Sequence, residues 1–258
     1  MSAAQVRVGV GGWTFEPWRN NFYPKALPHS HELRYASRHL TAIEVNGTFY
    51  STFQAPTFAK WRDETPDGFV FSLKAHRSTT HRRELATAGD AIERFLASGL
   101  AELGDKLGPI VWPFMPAKAF DPADLEAFLS LLPSELAGRP LRHVLDVRHP
   151  SFDCEAYLQL ARRHGCVTVH TDSPKWANIV DAQAPFAYLR LMRSQAALPT
   201  GYPPQALDDW ADGCRRWTAG ARPRDAFVFF INGDKERAPA AATALLERLG
   251  WRPTVAPE

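Results

Sequence analysis

Cysteine is scarce: Cys154, Cys166 and Cys214 are the three in 258 residues, odd in number and widely spaced. No CxxC pair exists for zinc or redox work, and no disulfide framework is implied. They read as small buried residues. Charge of one sign is also missing. Thirty Lys and Arg against 28 Asp and Glu leave a formal charge of +2, too small to suggest a general polyanion binder, so nucleic-acid contact would need a local patch. No apolar run reaches the ~20 residues that span a bilayer, and Met1 to Val6 lacks the apolar run of a secretory signal. These absences set an expectation of a cytoplasmic protein with no membrane association. Linkers, charge blocks, low-complexity tracts and internal repeats are absent too. The chain therefore reads as one domain over 1–250, with 251–258 as a frayed tail.

Familiar catalytic signatures are missing as well. Gly9-Val10-Gly11-Gly12-Trp13-Thr14 lacks the third glycine of GxGxxG, and aromatic residues and Pro17 follow where a helix should start. There is no GxxxxGK[ST], GxSxG or HExxH, and no cysteine beside a histidine at a strand end.

What is present is alternation. Short β-rich runs switch repeatedly with amphipathic stretches, as in βα units. Eight strands are predicted: Val6–Val10, Thr41–Asn46, Phe69–Lys74, Pro109–Phe114, His143–Val147, Val167–Thr171, Phe186–Leu191 and Phe227–Asn232. Asp121 caps a helix that has Pro122 at its first position. Further helices run from about Asp90 through Leu103, from Ser151-Phe152-Asp153 to Gly165, across Leu207–Trp217 to Gly220, and from Ala240 to Gly250. An apolar fraction of 45% suits one sizeable core. The fold class is α/β, a single TIM-like (β/α)8 barrel. Asp172 to Pro185 leaves room for only a short or irregular helix between the sixth and seventh strands. Ser194 to Pro204 is long and rich in Pro and Gly, a candidate lid.

Buried parallel strands should be almost wholly apolar, so their charged residues carry information. They recur at spacing two near strand ends: Glu44 and Asn46, Lys74 and His76, Asp146 and Arg148, His170 and Asp172, with Arg190 and Asn232 on the last two strands. Strand C-termini carry the site in such barrels. For any single pair, a structural ion pair inside the barrel is the competing explanation. Polar groups on six strands at one end, most of them charged, favour a ligand site, because buried ions stabilise a fold poorly.

The chain carries, in order, Val8-Gly9-Val10-Gly11-Gly12-Trp13, Phe22-Tyr23-Pro24, Glu44-Val45-Asn46-Gly47-Thr48-Phe49-Tyr50, Thr80-His81, Leu103-Gly104-Asp105-Lys106-Leu107-Gly108-Pro109, Val147-Arg148-His149-Pro150, Asp172-Ser173-Pro174 and Phe229-Phe230-Ile231-Asn232-Gly233. These stretches, among others, resemble the YecE-like family, a domain of unknown function (number 72). The resemblance covers almost the whole chain and implies a TIM-barrel-like fold, with no established activity. Two stretches depart from the family's usual pattern: Trp112-Pro113-Phe114-Met115-Pro116, and Arg190-Leu191-Met192-Arg193-Ser194, where Met192 replaces a histidine.

Three functions compete. The first is a pocket for a small anionic or phosphorylated ligand, with or without acid/base chemistry. Lys74, Arg148, Arg190 and Arg193 would grip the anion, Asn46, Tyr50 and Asn232 would line the site, and Glu44, Asp146, Asp172 or His76 would move protons. His76 is equally a structural imidazole, and Tyr50 and Trp13 are aromatic walls or packing. The second is a metal-dependent phosphodiesterase resembling apurinic-site endonuclease barrels. The inner charges roughly cancel, whereas a metal site needs excess carboxylates and imidazoles, so no metal or other cofactor is expected. The third is a non-catalytic nucleic-acid binder using Arg77, His81, Arg82 and Arg83, a run that without interleaved aromatics is more often a solvated loop.

Overall fold

The computed structural model describes residues 3–253. All eight predicted strands form, with ends within two residues of those read from the sequence. They are β1 (Val6–Gly11), β2 (Ala42–Val45), β3 (Val70–Lys74), β4 (Leu107–Pro113), β7 (His143–Asp146), β8 and β9 (Val167–Thr168 and His170–Thr171), β10 (Ala187–Leu191) and β11 (Ala226–Phe230). The labels β5 and β6 belong to a two-stranded hairpin, Glu135–Leu136 and Arg139–Pro140. The sheet is parallel, in the order β8-β7-β4-β3-β2-β1-β11-β10-β9. Because β8 pairs with β7 and β9 with β10, the two halves of one stave close the barrel.

Each stave buries both faces, for different partners. Val111, Val144, Val167, Val169, Phe186, Phe227 and Phe229 fill the barrel interior. Their alternates, such as Val8, Ile43, Phe71, Trp112, Leu145 and Leu189, pack outward in a second, larger cluster with the helices. This two-sided burial is why parallel strands read as continuous apolar runs. The outer layer comprises α1 (Glu32–His39), α2 (Gly47–Tyr50), α3 (Ala55–Glu64), α4 (Gly89–Leu96), α5 (Pro122–Ser130), α6 (Glu155–Arg163), α7 (Pro204–Ala219) and α8 (Ala238–Arg248). Among the described residues, no helix is long and apolar enough to cross a membrane.

The local signals behave as their chemistry dictates. Asp121 accepts hydrogen bonds from the amides of Ala123 (3.0 Å) and Asp124 (3.2 Å), capping α5. The helix predicted from Asp90 breaks after Leu96 and resumes as a 3-10 turn at Leu100. Gly99 sits at φ +115°, and a Cβ there would meet the Cα of Ala55 at 2.4 Å, so the break lets α3 pack closely. Two expectations need correction. Asp172 to Pro185 forms a loop with no helix, held by Asn178, whose side-chain oxygen accepts from the Thr171 amide at 3.0 Å. The Ser194–Pro204 loop is pinned rather than lid-like: Ala196 N–H donates to Asp234 at 2.6 Å, and Gln195 N–H to Gly201 at 2.7 Å.

Candidate functional site

The top of the barrel interior is charged. On β2, Ala42 and Glu44 face inward; on β10 the inward pair is Tyr188 and Arg190; on β7 it is Val144 and Asp146. The Arg190 guanidinium is the hub. Its Nε and Nη2 donate to the two Glu44 oxygens at 3.0 and 3.1 Å, and Nη1 donates to Asp146 at 2.7 Å. Tyr188 adds a hydroxyl to Glu44 at 2.9 Å and shares a hydrogen bond with Ser72 at 2.7 Å. Glu44 is 0% and Arg190 2% exposed, so the network is dry. Burial pulls the Arg190 pKa down, but the flanking Glu44 and Asp146 carboxylates drive it well above the usual value. The Asp146 carboxyl is pushed up by burial and down by Arg190 and Arg148, and the cations win: its pKa is lowered.

Above this frame the barrel mouth is cationic. Arg148 Nη2 donates to Asp146 at 3.0 Å, leaves 22% of its side chain exposed, and lies 5.4 Å from the Trp176 ring. Lys74 places its Nζ 4.4 Å from the Phe49 ring centre, and among the described residues no carboxylate lies within ion-pair distance of it. Burial lowers the Lys74 pKa first, and the positive charge of Arg190 lowers it further, against the pull of Glu44 and Asp146. His81, edge-on to Phe49 at 5.1 Å, has its pKa lowered by burial, then by Lys74, Arg148 and Arg77. Lys74, Arg148 and His81 are thus close enough to feel each other's charge. Two carboxylates face three cations within the cluster, with Lys74 left uncompensated.

Five of the predicted residues, Glu44, Lys74, Asp146, Arg148 and Arg190, meet at this mouth. Asn46 opens α2 beside it: a methyl at Gly11, also inward, would lie 2.9 Å from Asn46 Nδ2. Tyr50 is 65% exposed at the end of α2, and Asn232 is exposed after β11. The expectation that Asp172 shares the rim needs correction. Val167, Val169 and Thr171 are the inward residues of their stave, so Thr168, His170 and Asp172 point to the helix layer. His170 packs against Trp210 and Trp217 of α7. Asp172 accepts from Tyr202 (2.7 Å) and the Met192 amide (2.5 Å), and burial raises its pKa. It borders a separate cavity of about 480 Å³ together with Arg193, whose Nε donates to the Asp172 carbonyl at 2.5 Å. His76 caps a 3-10 turn, its Nδ1 accepting the Ser78 amide at 3.2 Å.

Sequence reasoning did not place three contributors at this mouth. His81 was named for the nucleic-acid reading, as part of a basic run. Trp176 and Tyr188 carry no charge, so a search for charged residues in apolar strands passes over them. Of the basic run, Arg82 is spent on the carbonyls of Ser78 and Thr87 in its own loop. Among the described residues, no three His, Cys, Asp or Glu side chains come together as a metal-ligand set.

A closed parallel barrel with buried charged side chains at the C-terminal strand ends defines a TIM-barrel-like protein with a polar mouth. Within that class the chain belongs to the DUF72 family: residues 7–258 match the family described as "Protein of unknown function DUF72". It is 31% identical over 119 residues to UPF0759 protein YecE of Escherichia coli K12, a match that covers 45% of this chain and 41% of that protein. The solved DUF72 family protein of Thermotoga maritima superposes with a TM-score of 0.76 at 22% identity, over 96% of this chain and 100% of that one. A DUF72 family protein of Enterococcus faecalis V583 gives a TM-score of 0.76 at 18% identity, over 96% of each chain. At these identities the structural likeness is one of fold.

Proposed function

We propose that the barrel mouth binds a small anionic or phosphorylated ligand between Lys74, Arg148 and His81. The observation that carries this reading is the uncompensated Lys74 ammonium, held beside Arg148 with no carboxylate partner. A half-buried ammonium without a counterion is costly unless a ligand supplies one. Arg148 offers a planar fork suited to oxyanions, and Asn46 a neutral donor. Tyr50 and Trp176 give aromatic surface at the rim.

The geometry redistributes the proton-transfer roles. Glu44 and Asp146 are held by Arg190, so they position the cations. His81, whose pKa is lowered by burial first and by its cationic neighbours after that, is the group suited to accept a proton once an anion arrives. Asp172 and His76 belong to other contacts, and nothing in their geometry aims them at the mouth. No observation favours the metal-dependent phosphodiesterase or the nucleic-acid reading over this one.

Phosphate titration followed at the His81 ring resonances tests the proposal. The unaltered chain should show a saturable shift with a midpoint of about 1 mM or below, the ordinary range for substrates. Lys74→Met should weaken it at least about tenfold, as for the loss of a charged contact. A His81 resonance indifferent to phosphate, or equally responsive in both proteins, overturns the reading.

A further inference from the structure

The opposite end of the barrel also holds cations that the mouth does not use. A cavity of about 390 Å³ opens there, within the size range of small-molecule pockets. Its floor is the start of the staves: Arg7 at the beginning of β1, Phe227 on β11 and Arg142 just before β7. Arg7 shares the inward phase of Gly9 and Gly11, so its side chain turns toward the barrel axis. Arg142 stacks over Phe227 at 5.4 Å and Phe186 at 5.7 Å, the aromatic plug that separates this end from the mouth.

The charges do not balance. Asp225 is already engaged, one oxygen accepting the Gln5 amide at 2.9 Å and the other ion-paired with Arg142 at 2.8 Å. Asp105 holds Arg139 at 3.1 Å, but that pair is open to water, with 50% and 95% of the two side chains exposed. Such exposed pairs contribute little and exchange readily. Arg7 has no hydrogen-bond or ion-pair partner among the described residues, although it is half-buried; burial lowers its pKa most, and Arg142 adds to that against Asp225. The segment before and at the start of β4 adds Gly104, Asp105, Leu107 and Gly108 to the lining, two of them without a side chain, and Gly104 adopts φ +55°. The β5–β6 hairpin delivers Arg139 to the same place.

We propose that this cavity is a second binding site, for a phosphate-type oxyanion, with Arg7 as its principal ligand and Arg139 swinging from Asp105 to join it. The shared chemistry is a tetrahedral dianion, carried by free phosphate or by a small phosphomonoester. Arg7 and Arg139 supply two forks for such a group, and Arg142 remains paired and lends only its field.

The test uses the full chain, isotopically labelled, titrated with sodium phosphate while the Gly104 and Gly108 amide resonances are followed. Saturable shifts with a midpoint of about 1 mM or below are expected. They should persist in Lys74→Met, which disables the mouth, and weaken at least about tenfold in Arg7→Gln. Arg7→Lys should recover part of the loss. A parallel titration with glycerol 3-phosphate separates the sources: tighter binding than phosphate assigns a phosphomonoester, and equal binding assigns the free ion. The proposal is overturned if these glycines do not respond in the unaltered chain, if chloride at equal ionic strength shifts them alike, or if Arg7→Gln responds unchanged. Should Arg7→Gln fail to fold, the phosphate and chloride arms on the unaltered chain decide. Failure at the mouth alone would be read at His81 and leaves these glycine signals standing.

Discussion

Arg190 and Arg148 look alike in the sequence, yet the structure gives them different tasks. Arg190 is buried between two carboxylates, and Arg148 touches one of them from the solvent side. Arg190→Met would strand Glu44 and half of Asp146 in a dry interior and should cost about 3–5 kcal/mol, as for a broken buried pair. Arg148→Met leaves Asp146 its 2.7 Å contact with Arg190, so the loss should be nearer 1 kcal/mol. Urea unfolding of both variants checks the ranking. Similar losses for the two would mean that Arg148 is structural rather than poised for a ligand. The inward set Glu44, Lys74, Asp146, Arg148 and Arg190 was legible because charge has no other business in a buried strand. Asp172 was not, because both faces of its stave are buried and charge alone cannot say which face it takes; one residue of phase reverses the answer.

At the scale of elements, the staves were readable and the irregular connections were not. The β5–β6 hairpin turns through Ala137 (φ 50°) and Gly138 (φ 74°), two left-handed residues without the Asn-Gly pair that usually announces such a turn. The Asp172–Pro185 loop is held by Asn178 and Ser173, side chains whose partners lie outside local pattern. Strand β1 carries a sharper constraint. A Cβ at Gly9 would sit 1.8 Å from the Ala42 carbonyl oxygen, so β1 and β2 approach only because that position is bare. Gly9→Ala should cost about 3 kcal/mol or more, since backbone rather than a side chain must move; a thermal melt decides it. The β9–α7 contact makes a pH prediction. Burial lowers the His170 pKa from 6.5 to about 4. As pH falls below about 6.5, the unfolded chain takes up that proton before the folded one does. Stability from this group is therefore complete above about 6.5 and is lost as pH falls toward 4. Between pH 7.5 and 4.5 the unaltered chain should lose about 2–3 kcal/mol more than His170→Phe, one pKa unit being worth about 1.4 kcal/mol. Equal losses would show that His170 stays hydrated in the fold.

Over the whole molecule, the aromatic plug of Phe186, Phe227 and Phe229 divides a barrel with cations at both ends. That division was only half visible in the sequence, where attention falls on strand C-termini and Arg7 looks like one more surface charge. At the mouth, anion binding and protonation should be coupled. An anion offsets the charge of Lys74 and Arg148 and so raises the His81 pKa, and by linkage protonated His81 tightens the anion. Sulfate, whose charge is constant between about pH 5 and 8, should bind at the mouth more tightly at the acid end. His81→Gln should remove that dependence. The most direct measurement of the central claim is an anomalous difference map from crystals grown with selenate. The account predicts a selenium peak within hydrogen-bond reach of both Lys74 Nζ and the Arg148 guanidinium, with the Arg190 contacts to Glu44 and Asp146 unchanged. A mouth without selenium, and Lys74 turned inward to pair with Glu44 or Asp146, would contradict it.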